Sequence, residues 1–449
     1  MPLKGIVFFG LFVFCAAGAL FLPHIGVYGY IADYCINPAG QWWEEPFSGL
    51  GIRYSLTLAL ATALGIVFQS NKLKFGEKVV YGQEMLLLMF LGVVWMSVFL
   101  SPDTVGHYTK VDHPSVKFTK IVIFAFMMTH VITDRSKLNG LFWVFVIAAL
   151  LLGMKAWSMP LSSFQRGRLE GIGGADFAEA NFFAAFMAAM LPIIGIQFLR
   201  SRWKGKLLCF FSGAFTANAV ILCRSRGAFL ALAVGVLAAG FFAPQRHRKK
   251  IVAALILGIL GGIYLTNEMF LERISTITLE QEEMDSSSQS RLRLWGAGMK
   301  MLMDHPMGIG SGNWYQTIGN YIPEYQGKDS HNTYVKCAAE LGIFGIAVYG
   351  LILLNAYLQL RRIRKLAEEL PKDKGDDLIQ ASFGLMVSLA IILAGGMTIT
   401  MIYTEIIWLL LVLPVCLQRA YDNALAEETI EEPVYNEKTD SLVPVEKRT

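Results

Sequence analysis

GIVFFGLFVFCAAGALFL, residues 5–22, holds no charged side chain over 18 positions. At ~1.5 Å of helical rise per residue, such a run is long enough to cross the roughly 30 Å hydrocarbon core of a bilayer. A secretory signal has a shorter apolar region, ~7–15 residues, ahead of a small-residue cleavage site. The run therefore reads as a retained span. Working outward, comparable stretches recur at 51–69, 83–100, 117–133, 138–155, 178–199, 206–222, 227–243, 251–266, 333–360, 378–397 and 402–418. The expected fold class is an all-α polytopic membrane protein of about twelve transmembrane helices. The segment 23–50 is too short in its apolar part and carries Asp33. It is expected to be interfacial or re-entrant.

Composition agrees with that class. Of 449 residues, 54% are hydrophobic and only 16% charged, against about 25% charged in a soluble chain. A soluble enzyme and a secreted disulfide scaffold are both excluded. The net charge of +4 divides unevenly: the tail 421–449 carries −5, leaving +9 on the rest. The basic residues cluster in five loops, Lys72/Lys74/Lys78, Arg135/Lys137, Arg200/Arg202/Lys204/Lys206, Arg246/Arg248/Lys249/Lys250 and Arg361/Arg362/Arg364/Lys365. Counting twelve spans from Lys4 puts all five on one side, the cytoplasmic one by the positive-inside rule. Both termini are then expected in the cytoplasm; a thirteenth span at 24–36 would keep the loops inside and move the N-terminus out. This clustering sets topology and points away from nucleic acid. Six cysteines lie mostly in the apolar runs without metal-binding spacing, as packing residues do.

The expected organisation is nine spans over 1–266, an outer loop at 267–332, three spans over 333–420 and a disordered acidic cytoplasmic tail at 421–449. The outer loop is 66 residues long and contains Trp295, Trp314, Tyr315, Tyr321 and Tyr325. Aromatics at that density argue for an ordered cap. No nucleotide-binding, HExxH or GxSxG signature occurs. Gly308–Gly312 reads as a tight turn that lets backbone approach something closely.

Three outer-edge clusters carry chemistry. Arg224 and Arg226 occupy a very short outer turn, against the positive-inside bias, and arginine's planar fork suits phosphate oxygens. Arg291, Arg293 and Trp295 lie on an expected amphipathic helix over the bundle. Ser330 reads as an N-cap, with His331 in the following first turn, where the positive helix end favours a neutral, proton-accepting imidazole. Lower on that helix, Lys336 and Glu340 are spaced to pair structurally. Arginines and a histidine facing one compartment suit a reaction on a membrane-anchored, phosphate-bearing donor. The arginines would hold a diphosphate without a metal, and the histidine would deprotonate an incoming hydroxyl.

These residues, in SRGAFLALAVG (225–235), SRLRLWGAGMKMLMDHPMGIGSGNW (290–314) and SHNTYVKCAAELGIFGIAVYG (330–350), resemble the O-antigen ligase superfamily of bacterial envelope glycosyltransferases. That superfamily also contains O-antigen polymerases and protein O-oligosaccharyltransferases. The resemblance implies that Arg226 and Arg291 bind diphosphate and that His331 is the catalytic base. It implies an undecaprenyl-diphosphate-linked glycan donor, a hydroxyl acceptor (lipid A core, protein or polysaccharide), no cofactor, and inversion at the sugar on the periplasmic side of the inner membrane. PHIGVYGYIADYCINP (23–38) and GGADFAEANFFAAFMAAMLP (173–192) resemble a narrower subgroup of O-glycosylation ligases found beside exosortase and exopolysaccharide systems. That likeness adds Asp176, Glu179 and Asn181 as possible contacts. Arg224, Arg293, Trp295, Trp314, Tyr315 and Asn332 complete the substrate-binding candidates, the aromatics as platforms for sugar rings. A polymerase on the same donor is the nearest alternative. A lipid-linked-glycan flippase is disfavoured, because the spans hold few ionisable residues to line a polar path.

Overall fold

Each of the twelve apolar runs is a helix in the computed structural model, which describes residues 3–38, 41–73, 76–101, 112–165, 167–173, 176–265, 286–431, 434–436 and 441–443. The order is α1 Leu3–Phe21, α2 Pro23–Ile36, α3 Glu45–Ser48, α4 Tyr54–Phe68, α5 Gly82–Phe99, α6 Pro114–Val131, α7 Arg135–Trp157, α8 Ala180–Arg200, α9 Trp203–Cys223, α10 Arg226–Phe242 and α11 Arg248–Leu265. After residues 266–285, which lie outside the described residues, follow α12 Ser286–Asp304, α13 Trp314–Tyr321, α14 Thr333–Leu366, α15 Lys372–Gly396 and α16 Glu405–Glu431. The protein is all-α and polytopic. Among the described residues, seven helices are long and apolar enough to cross a membrane, or eight counting the bent pair α10–α11 as one span. Sheet is confined there to two hairpins, β1 Phe164–Gln165 with β2 Arg168–Leu169, and β3 Val434–Asn436 with β4 Ser441–Val443.

α8 runs through the middle, against α7, α9, α10 and α15. Its Ala184, Ala185, Ala188 and Ala189 are all buried. Such small side chains let neighbouring backbones approach, the main packing device where lipid removes the hydrophobic drive between helices. A second knot is aromatic: Phe90 of α5, Phe118 of α6, Tyr349 of α14 and Trp408 of α16 pack with ring centroids 4.8–5.9 Å apart, a spacing favoured by edge and tilted ring pairs.

The two ends of the bundle differ in charge. At one end Arg200 sits 3.7 Å from Asp377, Arg246 pairs with Asp376, Arg364 donates to the Phe242 carbonyl, and Tyr28 donates to the Lys137 carbonyl. Lys72, Arg135 and Lys137 line one cleft there with Asn423 and Glu427. At the opposite end lie the starts of α8, α10, α14 and α16.

Within the segment expected to be interfacial or re-entrant, residues 23–36 form α2, which packs lengthwise among α1, α4 and α7 and starts at the basic end, where Tyr28 meets Lys137. It finishes at the other end, where Tyr34 bonds Asp176 and Asp33 accepts from Ser55 (2.5 Å). Asp33 is thus accommodated by a neighbour's hydroxyl, which its own segment does not reveal. α1, packed along α2, begins at the end opposite the basic loops: a Cβ on Gly5 would lie 2.5 Å from the Trp43 carbonyl oxygen. The start of α1 and the end of α16 therefore lie at opposite ends of the bundle. Disorder does not begin at 421. α16 continues to Glu431 because Asp422 bonds Tyr81, Asn423 donates to the Thr133 carbonyl (2.8 Å) and Glu428 pairs with Lys374. In addition, α11 bends 108° from α10 rather than returning beside it, and most of its outward residues are exposed.

Candidate active site

The turn between α9 and α10 is only two residues long. Arg224 caps α9 in the left-handed region (φ 45°), Ser225 caps α10 by accepting from the Ala228 N–H (3.3 Å), and Arg226 is the first helical residue. Arg226 therefore sits on the positive end of a 17-residue helix, where unpaired N–H groups and the dipole already favour an anion. The β1–β2 hairpin closes over Arg224: a Cβ on Gly167, itself at φ +74°, would lie 2.6 Å from Arg224 Nη1.

Asn181, at the start of α8, ties this turn to its surroundings. Its Oδ1 accepts from Ser225 Oγ (2.9 Å) and from Arg168 Nη2 (2.7 Å), while its Nδ2 donates to Glu179 Oε1 (2.8 Å). Arg168 Nε also donates to the Cys223 carbonyl (3.3 Å). Glu179 Oε1 in turn lies 3.8 Å from His331 Nδ1. Gly227 presses on Thr398, and the 397–400 turn is bonded to the His331 loop through Asn332 Nδ2 to the Met397 carbonyl (3.0 Å), Thr333 Oγ1 to the Ile399 carbonyl (2.6 Å) and Thr400 Oγ1 to Asp329 Oδ2 (2.5 Å). Arg226 and His331, separated by about a quarter of the chain, are brought to one corner by this packing.

His331 is not in a helical first turn. Asn332 is the N-cap of α14, accepting from Tyr334 N (2.9 Å) and Val335 N (3.0 Å), and His331 precedes it at φ +49°. Ser330 is buried and bonds Asn332 rather than capping. The left-handed backbone is pinned from behind by Asp329. Its Oδ2 accepts the His331 N–H (3.0 Å) and its Oδ1 accepts from Lys336 Nζ (3.0 Å) and Tyr315 Oη (2.9 Å). Burial opposes the Asp329 charge, but Lys336, Thr400 and the His331 N–H outweigh it and hold this carboxyl well below the usual carboxylate range. Burial likewise pushes the Tyr315 hydroxyl up to about 12. The imidazole is one-third exposed, while its Nδ1 is buried between Glu179 Oε1 (3.8 Å) and Asp329 Oδ2 (3.7 Å) with no hydrogen bond made. The ring's open edge is therefore the Nε2 side.

α14 is broken at Gly342 (φ 67°, ψ −164°), leaving a short first arm that carries Asn332 and Lys336. The glycine turn enters this break. Ile309 and Gly310 donate to the Ala339 and Glu340 carbonyls (2.9 and 3.0 Å), and Ile343 donates to the Pro306 carbonyl (2.9 Å). A Cβ on Gly308 would stand 2.4 Å from the Glu340 carbonyl oxygen, so the close approach read from the sequence is backbone on backbone. Glu340 accepts from Trp314 N (3.2 Å) and Tyr403 Oη (2.8 Å). Lys336 turns to Asp329 and to the Tyr315 ring, 4.1 Å from its centroid.

The cap is ordered over 286–332 around Leu294, Ala297, Met301, Ile309, Trp314 and Ile318. Residues 294, 297 and 301 repeat at helical spacing and turn one face of α12 inward. The expected sugar platforms meet different fates. Trp314 is 0% exposed and donates to the Lys328 carbonyl (2.9 Å), so it is core and offers no face to a sugar. Tyr315 is committed to Asp329. Trp295 Nε1 donates to the Ser330 carbonyl (3.0 Å), fixing the His331 loop to α12. Arg291 is one helical turn before Trp295 and so shares its face. Arg293 does not join it: it pairs with Glu324 (2.5 Å) and lies over the Tyr325 ring (5.2 Å) on the cap's outer side. Asn332 is a buried cap, and Asp176 is bound to Lys117 (3.0 Å) and Tyr34, apart from the histidine. Arg224, Arg226, His331, Glu179 and Asn181 remain at the corner, with Arg291 on the α12 face that Trp295 turns to the His331 loop.

Sequence reasoning passed over Arg168 and Asp329. Arg168 gives the same signal as Arg224, a basic residue in a short outer loop. Asp329, two residues before the histidine, gives none, because its partners Lys336 and Thr400 are 7 and 71 positions away.

Residues 211–350 match the Wzy_C family model, O-antigen ligase. The matched stretch contains the α9–α10 turn, the described part of the cap, the His331 loop and the broken half of α14. No curated protein matches the chain.

Proposed function

Since residues 211–350 match the O-antigen ligase family model, we propose that this membrane protein moves a glycan from undecaprenyl diphosphate to an acceptor hydroxyl on the periplasmic side. The observation that carries the reading is the corner itself, where the Ser225–Asn181–Glu179 hydrogen bonds run from an arginine at a helix N-terminus to within 3.8 Å of a left-handed histidine with one open ring nitrogen. Arg226, with Arg224 and Arg291, holds the diphosphate. His331 Nε2 takes the proton of the acceptor hydroxyl, whose oxygen forms a bond to the anomeric carbon from the face opposite the leaving group. The glycosidic C–O bond to the carrier breaks, and its electron pair leaves on the lipid diphosphate. The arginines stabilise the charge that collects there, work assigned elsewhere to a divalent cation. Attack from the opposite face inverts the anomeric centre.

The five basic loops at the other end of the bundle support the sidedness, since Lys- and Arg-rich loops stay in the cytoplasm. The test uses proteoliposomes with a lipid-linked glycan and candidate acceptors, read by mass spectrometry. His331→Ala is expected to lose about 10²–10⁴-fold in rate, the usual worth of a general base. Arg226→Ala and Arg291→Ala are expected to lose about 10²-fold or more. Glycan on an acceptor means ligation, and longer glycan still on the carrier means polymerisation at the same site. Donor consumption indifferent to all three substitutions rules the assignment out.

A further inference from the structure

The buried, unbonded Nδ1 of His331 is the unusual feature of the corner. A polar ring atom removed from water normally makes a hydrogen bond, yet here two carboxylate oxygens stand 3.7 and 3.8 Å away and neither closes. Asp329 Oδ2 already accepts from Thr400 and from the His331 N–H. Glu179 is differently placed: its side chain is about half exposed, and its Oε1 accepts from Asn181. Catalytic hydrogen bonds are often long before substrate binds and tighten in the reacting complex.

We propose that Glu179 is the positioning residue for His331: it takes the Nδ1–H, fixes the tautomer that leaves the Nε2 lone pair toward the acceptor, and balances the imidazolium formed on proton transfer. This inference rests on the reading of His331 as the base. The same geometry assigns Asn181 a linking role. It holds Glu179 with its amide nitrogen, and with its amide oxygen holds Ser225, the residue before Arg226, and Arg168. A diphosphate drawing Arg226 inward moves the Ser225 cap, and through Asn181 draws Glu179 onto the imidazole. Base activation is thereby coupled to an occupied donor site, which protects the site from idle deprotonation when no donor is bound.

Two carboxylates face the imidazole, Glu179 before α8 (3.8 Å) and Asp329 on its own loop (3.7 Å); the neighbouring elements carry Lys336 on α14 behind Asp329, Arg168 through Asn181, Arg224 and Arg226 at the α9–α10 turn, and Arg291 on α12. Removing one carboxylate from this set makes the imidazolium harder to form. The acidic limb of the pH–rate profile should then move toward lower pH.

The experiment measures glycan transfer by the full-length protein in proteoliposomes, over a pH series, for wild type, Glu179→Gln, Glu179→Asp and Asn181→Ala. Glu179→Gln keeps size and polarity, so it tests charge rather than folding. It is expected to lower kcat about tenfold or more, to leave the KM for the lipid-linked donor within about twofold, and to shift the acidic limb downward. Glu179→Asp should recover part of kcat and the original limb. Asn181→Ala should lower kcat and also raise the donor KM, since it touches both arms. A Glu179→Gln profile superimposed on wild type, while His331→Ala is inactive, overturns the positioning role and leaves the base assignment standing. A fully active His331→Ala removes the base, and this inference with it.

Discussion

Asp329 accepts four hydrogen bonds, and each partner comes from a different local setting: Tyr315 from the cap, Lys336 from the broken helix, Thr400 from the α15–α16 turn and the His331 N–H from its own loop. Asp329→Asn keeps the shape and deletes the charge, leaving the Lys336 ammonium with one carboxylate neighbour fewer in a dry site. The expected loss is about 3 kcal/mol, the usual order for breaking a buried pair. The pH behaviour follows from the direction of the shift. A carboxyl whose folded value lies far below its unfolded value of about 3.9 adds stability that is complete above about pH 4 and fades as pH falls toward the folded value. Thermal unfolding in detergent should show the full gap between wild type and Asp329→Asn at pH 7 and a narrower gap at pH 3. Equal stability at pH 7 would show that the loop is held by the cap alone. The sequence displays His331 and its arginines because their residue types are out of place at an outer membrane edge. It does not display the side chains that aim them, since Asp329, Asn181 and Thr400 are common loop residues whose meaning lies in partners dozens of positions away.

At the scale of elements, periodicity and run length locate helices well and their interruptions badly. The run at 333–360 reads as one span, because a single glycine in an apolar helix is unremarkable in composition. Yet Gly342 adopts φ 67°, and a Cβ there would lie 2.3 Å from the Pro306 carbonyl oxygen. Without the break, the Ala339 and Glu340 carbonyls would stay in the helix, the glycine turn would lose its seat, and the short arm carrying Asn332 could not lean toward α16. Gly342→Ala meets both a disfavoured backbone region and a backbone clash, so it should cost at least ~2 kcal/mol and reduce folded yield and transfer together. Gly350→Ala lies on the same helix with nothing within 4 Å of its added Cβ. It should be neutral or slightly stabilising, because alanine is the better helix former. If the two variants purify with the same midpoint of thermal unfolding, the break is not a structural requirement. The short α2 is hard to read for the opposite reason: 14 residues and an aspartate argue against a span, while its packing against α1, α4 and α7, with Ser55 facing Asp33, is visible only in the fold.

Over the whole molecule, one short helix decides at which end of the bundle α1 starts. The charge bias of the loops fixes five connections at one end whether or not α2 crosses, so it carries no information about residues before 23. The packing does: α1 starts beside Trp43 and Phe47, near the end that holds Asp33 and Asp176, and α16 leaves at the end that holds Arg419, Glu84 and Lys78. Arg419 is fully buried, reaches the Lys78 and Val79 carbonyls and both Glu84 oxygens, and lies over the Tyr81 ring at 4.8 Å. A buried guanidinium whose two terminal nitrogens meet a carboxylate and two carbonyls anchors the last span and cannot slide to the other end without exposing a buried charge. The native cysteines are all buried, so single surface cysteines report sidedness over a low background. Lys4→Cys and Lys328→Cys should react with a membrane-impermeant maleimide from the same side of intact cells, and Ala426→Cys only after the membrane is opened. Joint labelling of the first two would place the start of the chain and the histidine loop in one compartment, as a thirteen-crossing path requires. Should Lys4→Cys instead behave like Ala426→Cys, α2 would have to lie along the interface, and its contacts with α7 would have to be remade in the bilayer.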